Sequence, residues 1–231
     1  MIQRKRVRTS RSGSRGDIKG WRNALSGVPA FLIGNGPSLS DIDLSCLSNC
    51  FTIGINRAFY KIDPTILMWQ DPELWYSAKH RINRLEAIKF CRDTADPKGR
   101  FYHFKLTRGS FRLPDSPRTL FGFGSTGPLA FQLAHIMGCA PIVLLGMDCR
   151  YFDGKTDFYG KNPSHKPHTL KMCRGGLEWI KQASAHCDVI NCSHNDVFED
   201  SVSLEDAMKS LQVLAPQGRD KLVMRLMSAV R

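Results

Sequence analysis

The sequence lacks several features that would place it quickly. No apolar run approaches the 18–20 residues, roughly, that a membrane helix needs, so no bilayer span is expected. No C-x-x-C pair occurs among the eight cysteines, which removes the zinc ribbon and the dithiol redox motif. No internal repeat and no Gly-X-Y period is present. No apolar stretch of a secretory signal opens the chain. Without an export signal, the cysteines read as reduced thiols of a cytoplasmic protein.

Acidic residues are also scarce near the start. Arg4, Lys5, Arg6, Arg8, Arg11, Arg15, Lys19 and Arg22 face only Asp17 in residues 1–25, a net charge of +7. The whole chain of 231 residues carries +12, so the other 206 residues hold +5. The basic character is therefore concentrated in one segment. That segment is rich in Arg, Ser and Gly and poor in apolar residues, so 1–25 reads as a disordered basic arm. Residues 4–22 suit a polyanion, either nucleic acid or an anionic membrane surface, or serve as a solvated leader. An organelle transit peptide is disfavoured, because Ile2, Val7 and Ile18 form no amphipathic face.

The apolar residues predict an α/β fold. Pro29–Ile33, Phe51–Ile55, Thr65–Trp69 and Pro141–Leu145 are short, continuously apolar runs, the pattern of strands buried on both faces. Phe101–Phe104 and Cys187–Asn191 read as further strands. Glu73 to about Arg92, Pro128–Met137 and Thr169–Ala185 read as helices. The expectation is a Rossmann-like, mostly parallel sheet with helices on both faces, in a single domain over residues 26–200. A C-terminal helical segment, 201–231, follows, with Pro216-Gln217-Gly218 as a break.

In such sheets ligands bind beyond the carboxyl ends of the strands. Four predicted ends carry polar or glycine-rich sequence: Gly34-Asn35-Gly36-Pro37-Ser38, Asn56-Arg57, Gln70-Asp71 and Gly146-Met147-Asp148. The two glycines of the first allow close backbone approach, and Ser38 can hold an anionic or sugar oxygen. It is neither a Walker loop, lacking Gly-Lys-Ser/Thr, nor a dinucleotide fingerprint, since Leu39 stands at the third glycine. Ser125-Thr126-Gly127 opens a helix, whose N-terminus favours phosphate or carboxylate. Asp71 and Asp148 suit ribose hydroxyls, a metal, or a turn. His165 and His168, in a polar loop before a helix, can act as general bases near neutrality. His103, His135, His186 and His194 have no spacing that suggests metal ligation.

These motifs, in this order, resemble the bacterial sialyltransferases of the Campylobacter lipooligosaccharide type. The resemblance runs from about Ala30 to Asn191. It rests on Ile33-Gly34-Asn35-Gly36-Pro37-Ser38-Leu39 with Asp41-Ile42-Asp43, on Asn56, and on Asp71-Pro72-Glu73-Leu74. It continues through Ser125-Thr126-Gly127, Leu145-Gly146-Met147-Asp148, and His168 nine residues before Leu177-Glu178-Trp179. The opening motif also resembles the MptE-like pterin pyrophosphokinases and the motility-associated flagellin-glycosylation proteins.

The resemblance implies a single nucleotide-binding domain that takes sialic acid from its CMP conjugate without a metal. It implies that Asn35, Asn56 and Ser125–Thr126 hold the nucleotide, and that His168 deprotonates the acceptor hydroxyl of a glycan or other partner. Asp71 stands where an asparagine is expected. The two leaving-group tyrosines align with Val143 and Arg150, with Tyr151 beside the latter. Phe123 or Gly124 replaces an expected arginine. Arg150 can supply the missing positive charge. Two other readings follow from the same residues. One is a pyrophosphokinase-like enzyme with magnesium on Asp71 or Asp148. The other is a nucleic-acid-associated, phage-type protein that uses the basic arm.

Overall fold

The computed structural model describes residues 17–96, 98–109, 112–162, 167–211 and 218–230. Eight strands form one parallel sheet: β1 (Ala30–Ile33), β2 (Phe51–Ile55), β3 (Ile66–Trp69), β4 (Ile88–Arg92), β5 (Tyr102–Arg108), β6 (Thr119–Gly122), β7 (Ile142–Leu145) and β8 (Val189–Asn191). Their order is β6-β5-β4-β3-β2-β1-β7-β8. Five α-helices accompany them among the described residues: α1 (Pro72–Arg84), α2 (Thr126–Ile136), α3 (Pro167–Ala183), α4 (Leu204–Ser210) and α5 (Arg219–Ser228). The fold is the expected α/β, Rossmann-like one.

Alternation along each strand sorts side chains onto two covered faces. Leu32, Ile53, Met68, Phe90, Phe104 and Leu144 face α2, α3 and α5 in one core. Phe31, Ile33, Val143 and Leu145 face α4 and the 3₁₀ turns after β1 on the other side. Leu67, Trp69 and Cys91 face α1 there. Each such aliphatic or aromatic side chain stabilises the fold by about 1.5–3 kcal/mol when taken fully out of water. Among the described residues, no helix is long and apolar enough to cross a membrane.

Three expectations need correction. The helix read from Glu73 to about Arg92 ends at Arg84, and Ile88–Arg92 is a strand. Lys89 and Arg92 mask its alternation, in which Ile88, Phe90 and Cys91 are buried. The strand β6 was not anticipated; buried Gln132 of α2 pins it by bonding both the N–H (2.7 Å) and the carbonyl (2.9 Å) of Phe121. The boundary of the basic arm at residue 25 is also wrong. Ile18–Trp21 is a 3₁₀ turn, and Ile18, Trp21 and Leu25 are fully buried. Trp21 packs against Phe90 and Tyr102 and donates its indole N–H to the Leu226 carbonyl of α5 over 3.1 Å. Residues 1–16, including Ile2 and Val7, lie outside the described residues, as does His165.

Candidate functional site

The strand order creates one place where connections diverge. The chain leaves β1 toward β2 on one side and leaves β7 toward β8 on the other. A crevice opens at the carboxyl ends of two such neighbouring strands. Here those ends are Gly34–Ser38 and Gly146–Asp148.

The two tips are knitted together. Gly34 N–H donates to the Leu145 carbonyl (2.7 Å), and Gly36 N–H to that of Gly146 (2.8 Å). A β-carbon on Gly34 would lie 2.3 Å from the Gly146 oxygen. One on Gly36 would lie 2.4 Å from Asp148 Oδ2. Only glycine lets the loops approach this closely. Ser38 donates its N–H and its hydroxyl to Asp148, and His194 N–H adds a third bond at 3.1 Å to Oδ1. Asp148 is therefore a buried brace between the β1 and β7 tips.

The β2 tip and α2 complete the edge. Asn35 donates from Nδ2 to the Ile55 carbonyl (3.0 Å), while its buried Oδ1 has no partner among the described residues. Asn56 follows at φ +51, a left-handed conformation that asparagine tolerates better than most residues. Thr126 at the start of α2 reaches Asn56 Oδ1 at 3.5 Å, the outer limit of a hydrogen bond. Ser125 is the N-cap, extended, with no side-chain capping bond. Gly127 lies against β7's tip, where a β-carbon would sit 3.3 Å from Met147 Sδ. So Gly34, Asn35, Gly36, Ser38, Asn56, Ser125, Thr126, Gly127 and Asp148 are gathered along one edge, beside a helix N-terminus.

The remaining candidates sit at its margins. Asp71 precedes α1 at the β3 tip, exposed, and makes no capping bond. Local desolvation and Glu73 push its carboxyl above the ordinary value, with Arg92 pulling the other way. His168 is exposed, in the first turn of α3. It is one turn before Met172, which packs against Gly124, and two turns before Gly176, which packs against Ser125. That stripe places His168 on the face of α3 turned to the start of α2. Arg150 and Tyr151 are exposed beyond Asp148, and Arg150 is an electrostatic neighbour of Asp196, which pairs with Arg174 of α3.

Two residues not singled out from sequence also adjoin the edge. Phe158 N–H donates to the Asn35 carbonyl (2.8 Å), which lays the loop after β7 over the β1 tip. Its neighbour Tyr159 meets Tyr60 edge-on at 5.9 Å and feels the charge of Arg57. Burial and then Asp157 push the Tyr159 phenol up. Arg57, next to Asn56, donates to Tyr60 Oη and Ser77 Oγ. Their separation in sequence hid this grouping. A cavity of about 300 Å³ lies at the opposite, amino edge of the sheet, between Asn23, Asp115, His135 and Asp188.

No protein-family model and no curated protein matches the chain. Among solved structures it is similar to the sialyltransferase CstII from Campylobacter jejuni. That protein was solved in complex with the substrate analogue CMP-3FNeuAc (TM-score 0.42) and with cytidine-5'-monophosphate (TM-score 0.43). Each alignment has 17% identity and covers 72% of this chain and 80% of that one. Similarity of this size assigns neither a family nor an activity to this chain.

Proposed function

We propose that the chain is a glycosyltransferase-like enzyme that binds a nucleotide-linked donor at the carboxyl edge of its sheet. The observation that carries this reading is the meeting of Asn35, Asn56 and Thr126 beside two glycine-bearing tips and the N-terminus of α2. Asn35 Oδ1 is an acceptor awaiting a donor such as an amino or ribose hydroxyl group. The start of α2 favours the phosphate.

In the reaction the acceptor hydroxyl oxygen attacks the anomeric carbon of the donor. The bond from that carbon to the phosphate oxygen breaks, and the electron pair leaves with the nucleotide. His168 takes the hydroxyl proton. The N-terminus of α2, with Arg57 or Arg150, offsets the charge on the departing phosphate. The order of motifs favours a CMP-linked sialyl donor and a glycan or other hydroxyl acceptor. A phosphoryl-transfer reading would place magnesium on Asp71 or Asp148.

The test combines a thermal-shift screen with one substitution. CMP or CMP-sialic acid should raise the melting temperature more than UDP, GDP or ATP, since a ligand of the native state stabilises it. His168→Ala should keep that shift and lose turnover by about 10²–10⁴-fold. Unchanged turnover in this variant would remove His168 from the mechanism, and no response to any nucleotide would remove the reading.

A further inference from the structure

The parallel register brings together a group of side chains away from the carboxyl-edge site. Trp69, Cys91 and His103 are Cα partners across β3, β4 and β5, so they form one row on one face of the sheet. Asp96, in the turn after β4, joins that row. Its side chain is wholly buried and meets His103 Nε2 at 3.2 Å. The Cys91 sulfur, an Asp96 oxygen and a His103 nitrogen all lie within 4.8 Å of one another.

From this juxtaposition we infer that Cys91, Asp96 and His103 bind a divalent cation of the zinc class, with a fourth position left to water. The donor set decides the class. A thiolate, an imidazole and a carboxylate suit zinc or cobalt, whereas magnesium and calcium take oxygen ligands. Fixed strand neighbours supply two of the three ligands, so little chain has to be ordered on binding.

The surroundings fit an outer shell. Arg100 Nε donates to Asp96 Oδ1 at 2.9 Å, and Phe101 N–H donates to Oδ2 at 2.8 Å. Both hold the carboxylate in place, as partners of metal-binding carboxylates do. The Arg100 guanidinium, 4.1 Å from the Trp75 ring centre, is itself held by that aromatic face. Trp69 has a buried indole N–H with no partner among the described residues, a group that a bound water would satisfy.

Full burial of Cys91 excludes it as a nucleophile toward a substrate but suits a ligand. His103 is 28% exposed, which leaves the cation a path and the fourth position access to water. Binding replaces the Asp96–His103 hydrogen bond with two bonds to the metal, His103 ligating through the ring nitrogen that carries no proton and keeping its single proton on the other. It also releases the Cys91 thiol proton to solvent.

Cobalt(II) titration of the chelator-treated full chain tests this, with zinc(II) as competitor. One equivalent should bind with a thiolate-to-cobalt charge-transfer band, and zinc should abolish the band. Cys91→Ser should remove it. His103→Gln should weaken binding at least about tenfold, the lower end of what an outer-shell loss costs. Cys187→Ser, whose sulfur lies 3.2 Å from His135 Nδ1, should change neither. A folded wild-type chain with no band in excess cobalt would overturn the site. So would wild-type affinity in His103→Gln. Should Cys91→Ser fail to fold, the wild-type spectrum and His103→Gln decide the question alone.

Discussion

Ser38 donates its backbone N–H to one oxygen of Asp148 and its hydroxyl to the other, each over 2.7 Å. The two residues stand 110 positions apart in the chain. This pair, with the N–H of His194, ties the tips of β1 and β7 to the turn after β8. Asp148→Ala should leave all three donors without their acceptor. Hydrogen bonds to a charged group contribute about 1.5–3 kcal/mol each, non-additively, so we expect a loss of about 3 kcal/mol in urea unfolding. Nucleotide-induced thermal shifts should vanish with it. A variant as stable as wild type would mean that the brace holds nothing.

Adjacent glycines in α3 should respond oppositely to alanine. At Gly175 a β-carbon meets nothing within 4 Å among the described residues, so Gly175→Ala should stabilise by about 1 kcal/mol through helix propensity alone. At Gly176 it would lie 2.8 Å from both Pro128 Cγ and Ser125 Oγ. Gly176→Ala should therefore push α3 from the start of α2 and cost about 1–3 kcal/mol. Midpoints of thermal unfolding for the two variants should bracket wild type.

Trp21→Ala should cost about 3–5 kcal/mol, as for large core aromatics generally. Urea titration checks it. A loss below 1 kcal/mol would return residues 17–25 to the status of a leader.

Stability should also depend on pH through His135. Burial, the largest influence, and His186 lower its pKa, with Asp115 opposing them. A histidine depressed on folding binds its proton more readily when unfolded. Its contribution is thus fully present above the unfolded pKa of about 6.5 and is lost as pH falls toward the folded value. His135→Gln should flatten the fall in urea midpoint between neutral and mildly acidic pH. Parallel profiles for the two proteins would exclude His135 as the source.

Much of the sheet was legible from the sequence for one reason. β1, β2, β3 and β7 are buried on both faces, so they are written as unbroken apolar runs with no competing helical period. β4 was not legible, because only Leu85-Glu86-Ala87 separates Ile88-Lys89-Phe90-Cys91-Arg92 from a helix and its charges at Lys89 and Arg92 resemble a solvated helix face. Trp21 and Leu25 were hidden by their setting, since the basic residues around them dominate any average over that segment. At the site, the glycine tips and Asn56 could be read because backbone conformation demands particular residue types. The role of Asp148 could not, because its partners Ser38 and His194 are far away in sequence. The same holds for Cys91, Asp96 and His103, whose neighbourhood exists only once β4 and β5 pair.

The place of β1 in the sheet matters while the protein is being made. Its pairing with β2 joins Ala30 to Phe51, but its other edge waits for β7, where Ala30 meets Ile142. A nascent chain that has emerged only as far as β6 therefore carries β1 as a bare, wholly apolar edge, the kind of edge on which strands from other chains assemble. Ser38 has no carboxylate to meet until residue 148 leaves the ribosome, and Asp148 has no third donor until residue 194 does. Assembly of the candidate crevice thus waits for the chain through residue 194, and a chain truncated before β7 should be recovered as aggregate rather than as a smaller folded domain.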